Sequence, residues 1–182
     1  APRAAAMTGL RQGELLALRW LDLDGTAHKV RVRQAFVRGE FKTPKSRRGV
    51  RGVPLAGELA DAFDELRHVS PYVDDDDLVF GHPEKGTVLC HSALSKRFKK
   101  ALKAAGLRPI RFHDLRHTFG TCIAAEGKVA PRTLQEWMGH RDIQTTQRYA
   151  DYCPNPGERD VVEAAFSAGT NLGTNPRTPV GN

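Results

Sequence analysis

The sequence has few cysteines and no long apolar run, and these absences exclude several classes of protein. Its three cysteines, Cys90, Cys122 and Cys153, are an odd number without a C-x-x-C pair, which argues against a disulfide framework and against a zinc site built on cysteines. Cys122 falls in an apolar stretch and is expected in the core. No segment approaches the run of about 20 apolar residues that a membrane helix needs, and the first residues do not resemble a secretory signal. We therefore expect a protein of the reducing cytoplasm with no membrane partner.

Positive charge is present in excess and is unevenly distributed. The 28 Lys and Arg residues outnumber the 21 Asp and Glu residues, which gives a net charge of +7. Residues 28–55 hold nine Lys or Arg and one acid, Glu40, and residues 92–118 hold eight and one acid, Asp114, while acids collect at 74–77. A protein that binds along phosphates needs such a segregated basic surface. Charge alone does not show whether these charged surfaces bind nucleic acid or are two faces that only contact water.

The apolar periodicity predicts a mainly α-helical domain (α+β) with a small three-stranded antiparallel sheet. The predicted helix at 92–105 is strongly basic, begins at a Ser92 cap and ends at Gly106. The other predicted helices cover residues 7–20, 57–68, 113–126, 131–138 and 142–150, and the predicted strands cover 30–37, 41–43 and 50–55.

Tyr149 is the residue on which a chemical function would depend. Its segment, residues 144–150, is polar and lacks the apolar periodicity that would bury an aromatic side chain. A phenol can attack a phosphodiester if its proton is removed and the phosphate charge is neutralised. The remaining question is whether the chain supplies cations and proton carriers.

Two arginines and a histidine are candidates for holding a phosphate. His113 and Arg116 are three residues apart on one predicted helix face. Arg116 can bind two phosphate oxygens with its planar guanidinium, and His113 can donate to a third oxygen or carry a proton. Arg11 lies in an otherwise apolar predicted helix, where Glu14 could orient it.

Two further candidates lie at a helix end and near a turn. His140 follows Gly139 directly after a predicted helix. Lys42 lies near a β-turn and could protonate a leaving oxygen. Taken singly, each candidate has an ordinary explanation, such as a surface ion pair, a core histidine, a helix-terminal histidine stabilised by the dipole, or a half-buried packing tyrosine. The residues alone therefore predict only a basic domain with a candidate site.

Four segments together resemble the motifs of the tyrosine recombinases of the phage integrase type. One such motif alone would be a weak signal, but the four occur in the family's order and spacing over roughly residues 5 to 151. The segments are 8–15 (TGLRQGEL) for the first arginine box, 41–48 (FKTPKSRR) with 53–55 for the lysine hairpin, 113–118 (HDLRHT) for the second box, and 138–143 (MGHRDI) with Thr145, Thr146 and Tyr149 for the third box and nucleophile.

The resemblance implies the roles of the residues around the phosphate. Tyr149 would attack the scissile phosphate and leave a 3′-phosphotyrosyl link and a free 5′-hydroxyl. Arg11 and Arg116 would hold the non-bridging oxygens and stabilise the charge of the transition state, and His140 would hydrogen-bond the same phosphate.

The resemblance also implies the proton carriers and the fold. His113 would assist proton transfer to or from Tyr149, and Lys42 would protonate the 5′-oxygen as it leaves. No metal, nucleotide or other cofactor is implied, because the covalent bond stores the energy for rejoining. The implied fold is the helical DNA breaking-rejoining type.

The implied partner is double-stranded DNA, on which four protomers would assemble over two sites, with a monomer in its absence. The implied location is the cytoplasm, at the nucleoid. The cations expected to contact DNA lie in the basic loop and the basic helix, and they are Lys45, Arg47, Arg48, Lys96, Lys99 and Lys100.

We expect the catalytic domain over residues 1–153. Residues 154–182 would form a C-terminal segment, with one short helix at 158–166 and then a flexible tail. An upstream DNA-binding domain and an earlier helix of the catalytic domain, which the family usually has, are expected to be missing, so this piece would bind DNA weakly. Helix-breaking residues at 151–157 would shift the helix that neighbours exchange, and Tyr152 is a second tyrosine near Tyr149.

Three other interpretations stay open. A type IB topoisomerase uses the same chemistry to relax supercoils, and an assay with two marked DNA sites would separate it. A metalloprotease is suggested by His113 and His117 at i, i+4, a near miss for H-E-x-x-H in which Asp114 replaces Glu and Arg116 would lie beside the cation; activity that survives a chelator would exclude it. A non-catalytic DNA-binding remnant would form no covalent adduct.

Overall fold

The structure, a computed structural model, describes residues 1–43 and 50–150 as seven α-helices around two small antiparallel sheets. The predicted mainly helical class is confirmed. The helices are α1 (Pro2–Thr8), α2 (Gln12–Leu16), α3 (Gly57–Val69), α4 (His91–Ala104), α5 (Asp114–Ala125), α6 (Pro131–Met138) and α7 (Gln144–Ala150), and a 3-10 turn covers Trp20–Asp22. The strands are β1 (Leu23–Asp24), β2 (Lys29–Val32), β3 (Ala35–Val37), β4 (Glu40–Lys42) and β5 (Arg51–Pro54).

The three-stranded sheet has different members from those predicted. Its order is β1-β2-β5, and Val30 faces Val53 with both side chains fully buried. The predicted strand over 30–37 is two strands, because the chain leaves the sheet at Gln34, whose Nε2 donates to the Ala17 carbonyl (2.9 Å). Strands β3 and β4 therefore form a separate hairpin, which packs beside α2.

The helix predicted over 7–20 is wrong, because the chain breaks there between α1 and α2. Gly9 ends α1 in the left-handed region (φ 64°), where a Cβ would also collide with the Phe119 ring. Arg11 then occupies the N-cap position of α2 with extended backbone. Arg11 therefore lies at a junction between two helices, although the apolar periodicity is only weakly interrupted there.

The core lies where α1, α2, α5 and α6 meet the sheet. The helices predicted at 57–68 and 131–138 are confirmed, since α3 and α6 match them to within one residue at each end. The basic helix α4 begins one residue earlier than predicted, with Cys90 rather than Ser92 at its N-cap. Cys122 is exposed on α5 rather than in the core. The largest fully buried side chains are Leu10, Leu15, Leu16, Met138, Val30, Val53, Thr8, Thr146 and Asp22.

Within the described ranges, no helix is both long and apolar enough to cross a membrane.

Candidate active site

Three arginines from separate parts of the chain meet at the C-terminal end of α6. The backbone carbonyls of residues 137, 138 and 139 each accept a hydrogen bond from one guanidinium. The donors are, in that order, Arg51 Nε (2.7 Å), Arg116 Nη2 (2.5 Å) and Arg11 Nη2 (2.8 Å). A helix C-terminus carries unpaired carbonyls and partial negative charge, so it stabilises cations there. The end of α6 therefore gathers three positive charges at one place.

Glu14 joins two of these arginines. Its Oε1 accepts from Arg11 Nη1 (3.0 Å) and Arg51 Nη1 (3.0 Å), and its Oε2 accepts from Arg51 Nη2 (2.8 Å). The side chains of Arg51 and Glu14 are only 7% and 8% exposed. Burial raises the pKa of Glu14, but the hydrogen bond and charge of Arg51, together with Arg11, outweigh burial and lower it below its usual value. This carboxylate thus stays ionised, and the cluster keeps a net positive charge.

Arg116 is the most deeply buried of the three guanidiniums, with a residue exposure of 3%. Its Nη1 donates to the Gly9 carbonyl at the end of α1 and its Nη2 donates to Met138. Burial, and secondarily the charge of Arg11, lower the pKa of Arg116 to about 10, which still leaves it charged at neutral pH. Two helix ends thus fix the orientation of this group.

Tyr149 is buried, contrary to the expectation from its polar segment, with a residue exposure of 6%. The reason is tertiary: α7 packs on α5 at Gly120, where a Cβ would lie 2.7 Å from the Tyr149 ring. The Tyr149 hydroxyl is hydrogen-bonded to Nδ1 of His117 (3.0 Å). Burial raises the pKa of Tyr149, and the charge of Arg116 only partly opposes this. The phenol is therefore protonated at neutral pH and needs a proton acceptor to become a nucleophile.

Tyr149 nevertheless lines an open cleft rather than a closed interior. The cleft has a volume of about 600 Å³. A second cleft of about 540 Å³, lined by Arg11, Glu14 and Arg51 among others, adjoins it, and His113 lines both. The residues that line the first cleft are His113, Arg116, His117, Thr121, His140, Thr145, Arg148 and Tyr149.

The histidines of the first cleft are held differently. His140 directs Nδ1 to Thr146 Oγ1 (2.8 Å) and stacks on Tyr149, with ring planes 13° apart and centroids 6.3 Å apart. Burial and the nearby arginines, Arg116 first, lower the pKa of His140 to about 4, so this ring is neutral at physiological pH. His113 is exposed and meets the His117 ring edge-on at 5.0 Å, and burial followed by His117 lowers the pKa of His113.

The structure brings together five of the six predicted catalytic residues. His113, Arg116, His140 and Tyr149 line the first cleft, and Arg11 lines the second. The sixth, Lys42, stands apart on β4. Its side chain is 54% exposed, pairs with Glu40 at 3.3 Å and is not among the residues that line the two clefts.

Three of the six predicted DNA contacts lie in the described part of the chain, and three lie outside it. Lys96, Lys99 and Lys100 are exposed on α4. This helix is held beside the site because Gln12 Nε2 donates to the carbonyl of His91 (2.9 Å). Lys45, Arg47 and Arg48 lie outside the described residues, as do residues 154–182 and Tyr152.

Sequence reasoning gave three residues of the site no role toward the phosphate: Arg51, His117, which it considered only as a metal ligand, and Thr146, which it named only as part of the third box. His117 is one helical turn after His113, so its spacing could have placed it at the site. Arg51 is one of nine cations in its segment, and its burial depends on partners far along the chain.

Within residues 1–43 and 50–150, no group of three or more histidine, cysteine or acidic side chains is placed to hold a metal ion.

The chain is similar to known proteins over most of its length. The family model described as the Phage integrase family matches residues 3–155. The chain is 38% identical over 150 residues to the putative prophage phiRv2 integrase of Mycobacterium tuberculosis, which covers 80% of this chain and 40% of that protein. It is 32% identical over 162 residues to an XerC-like tyrosine recombinase of Caldanaerobacter subterraneus, covering 76% of this chain and 41% of that protein.

Solved structures share the fold. The integrase of the Tn1549 transposon in complex with transposon right end DNA superposes with a TM-score of 0.73 at 25% identity, covering 92% of this chain and 57% of that one. The XerA recombinase superposes with a TM-score of 0.65 at 26% identity, covering 92% and 54%. The chain spans about two fifths of the length of the curated relatives it matches.

Proposed function

The chain belongs to the phage integrase family, and we propose that it cleaves and rejoins DNA strands as the catalytic domain of a site-specific recombinase. One observation carries this proposal: Tyr149, Arg116 and two further predicted residues, His113 and His140, line one cleft. Arg11 joins Arg116 at the carbonyls that end α6. A phenol, fixed cations and neutral proton carriers around one cavity are the groups that phosphoryl transfer needs.

In the proposed cleavage step, Tyr149 Oη forms a bond to the scissile phosphorus while the bond from phosphorus to the 5′-oxygen breaks. The products are a 3′-phosphotyrosyl link and a free 5′-hydroxyl. Arg11 and Arg116 bind the non-bridging oxygens and stabilise the charge that develops on them. Since the covalent link conserves the phosphodiester energy, attack by a 5′-hydroxyl rejoins the strand, and we propose no cofactor.

His140 acts in this scheme as a neutral hydrogen-bond donor to the phosphate. Its pKa of about 4 means that it carries one ring proton at neutral pH. When the Thr146 hydroxyl donates to Nδ1, that proton is on Nε2, which is then free to donate to a phosphate oxygen. Arg116, with a pKa of about 10, supplies fixed charge beside it.

Lys42 protonates the leaving 5′-oxygen and His113 assists with protons at the cleft. Lys42 is on the exposed hairpin, and a long flexible amine there can reach a bound strand. His113 lines both clefts, the one that holds the phenol and the one that holds Arg11 and Arg51. The exposed cations of α4, Lys96 and Lys99 among them, contact the DNA backbone together with Lys100, Lys45, Arg47 and Arg48.

Trapping the covalent intermediate tests the proposal. On a nicked DNA substrate from which the cleaved end can diffuse away, the wild-type chain should accumulate a protein–DNA adduct, and Tyr149→Phe should reduce it below detection. DNA affinity should be unchanged within about twofold, because the phenol hydroxyl is at most one of many contacts. Mass spectrometry should place the nucleotide on Tyr149. An adduct that persists in the Phe variant would point to Tyr152 and contradict the assignment.

Two alternatives use the same surface. A type IB topoisomerase would relax supercoiled DNA without exchanging partners, so joining of two marked DNA sites separates it from a recombinase. A non-catalytic remnant would bind DNA and give no adduct. The matched relatives are named recombinases and integrases, which favours strand exchange.

The assembly and location are part of the same proposal. Four copies of the whole protein assemble on two DNA sites in the cytoplasm, at the nucleoid, and the chain is monomeric without DNA. Residues 1–153 form the catalytic domain and residues 154–182 form a C-terminal segment.

A further inference from the structure

We propose that His117 takes the proton from Tyr149 during cleavage and returns it during rejoining. This role rests on the proposed function and deepens it. The family motifs direct attention to His113, but the hydrogen bond of the Tyr149 hydroxyl is made with His117.

The contact between the two side chains is direct. His117 Nδ1 lies 3.0 Å from the Tyr149 hydroxyl oxygen, within the range for proton transfer between a base and its acid. The ring centroids are 6.1 Å apart and tilted by 49°, so the phenol meets the imidazole edge, where the nitrogen lone pair lies. Gly120 lies three residues further along α5 and leaves the space in which the Tyr149 ring sits.

The other polar groups that line the cleft are less suited to accept this proton. His140 stacks nearly parallel to the Tyr149 ring, and its Nδ1 is bonded to Thr146. His113 contacts the His117 ring rather than the phenol. Arg116 and Arg148 are cations that only donate hydrogen bonds.

The protons and bonds of the step balance without another reactant. In the proposed ground state the phenol donates to Nδ1 of His117, whose own ring proton is then on Nε2. As the bond from Oη to phosphorus forms, the phenol proton moves to Nδ1, and the proton that the 5′-oxygen takes as it leaves comes from Lys42. In rejoining, the attacking 5′-hydroxyl returns a proton to Lys42, and Tyr149 leaves phosphorus with the proton held by His117.

The exposure of His117 fits a group that is charged for part of the cycle. His117 is exposed, while the phenol oxygen that it contacts belongs to a residue only 6% exposed. Water can therefore solvate the imidazolium that forms, which a fully buried base could not offer. The exposed ring of His113 lies beside it and meets it edge-on.

The test compares His117→Gln with His113→Gln in the whole chain on two nicked DNA substrates. One has the natural scissile phosphate, and the other has sulfur in place of the 5′-bridging oxygen, which leaves without being protonated. His117→Gln should slow adduct formation about 100-fold on both substrates, the low end of the usual effect of a general base. His113→Gln should slow it less, and Lys42→Ala should be slow only on the natural substrate. Added imidazole should restore part of the rate to His117→Gly.

Several results would overturn the inference. They are a His117→Gln rate within about threefold of wild type, full recovery of that variant on the sulfur substrate, or a larger loss in His113→Gln. If the wild-type chain gives no adduct on either substrate, the proposed function fails instead. A measurement that does not depend on turnover is the ¹⁵N signal of His117 Nδ1, which should shift in Tyr149→Phe as the hydrogen bond is lost, and an unshifted signal also contradicts the proposal.

Discussion

The two halves of the site are held in different ways. The arginine half is fixed by main-chain carbonyls at the ends of α1 and α6 and by the buried carboxylate of Glu14. The proton half, with His117, His140 and Tyr149, is held by single hydrogen bonds between side chains. Charge stabilisation is thus built into the fold, whereas the groups that must gain and lose protons keep partners that can change during a reaction. Variants in each half should separate stability from chemistry.

The largest expected effect is on stability, from Glu14→Gln in the arginine half. Removing one partner of a buried ion pair costs about 3 kcal/mol, because Arg51 is left buried without its carboxylate. Urea unfolding should show this loss at pH 7. The matched control is Glu136→Gln, which breaks an exposed pair with Arg132 and should cost well under 1 kcal/mol.

The pH dependence of this variant has a definite sign. Arg51 and Arg11 lower the pKa of Glu14 below its usual value of 4.5. The stabilisation by ionised Glu14 is therefore complete above about pH 4.5 and is lost as the pH falls through the lowered pKa. The difference in free energy of unfolding between wild type and Glu14→Gln should become smaller below pH 4.5. A difference that does not change with pH would contradict the ion-pair explanation.

The next effect is on rate, from Gly120→Ala in the proton half. The added Cβ would lie 2.7 Å from the Tyr149 ring, so the phenol must move. A displacement of about 1 Å in a reacting group costs about 100-fold in rate, and adduct formation should fall by that factor with DNA affinity retained. Gly57→Ala, where no atom lies within 4 Å of the added Cβ, is the matched control. An unchanged rate in Gly120→Ala would show that the ring does not need this space.

The smallest expected effect comes from Thr146→Val, which keeps the shape of the side chain and removes its hydroxyl. Thr146 is 2% exposed and its hydroxyl is hydrogen-bonded to His140. Losing one hydrogen bond of about 1.4 kcal/mol corresponds to a tenfold slower adduct formation. Thr146→Ser should restore most of the rate. Equal rates in the Val and Ser variants would show that the hydroxyl does not orient His140.

The sequence predicts the elements whose ends are marked by local chemistry. Helix α6 begins at Pro131 and ends before Gly139, and the prediction matches it. The break after Thr8 was not predicted, because the leucines on both sides continue one apolar pattern; Gly9 ends the helix there and packs against the Phe119 ring, 110 residues away in the chain. Local pattern thus fixes helix ends better than it fixes helix breaks imposed by packing.

The candidate site divides in the same way. The motifs identify Arg11, Arg116 and Tyr149, since the family spacing is visible in the sequence. Motifs do not reveal that Tyr149 is buried or that its hydroxyl bonds His117, since both depend on how α7 packs on α5. The sheet illustrates the same limit, because alternation predicts strands but not which strand pairs with which.

The end of α6 links the completion of folding to the proposed cleavage site. Its last carbonyls are capped by guanidiniums that arrive from α2, β5 and α5, and the next residue along the chain is His140. A partly unfolded chain cannot assemble this terminus, because its caps come from segments up to 128 residues away. A copy in which this terminus is not assembled should therefore be unable to carry out the proposed cleavage.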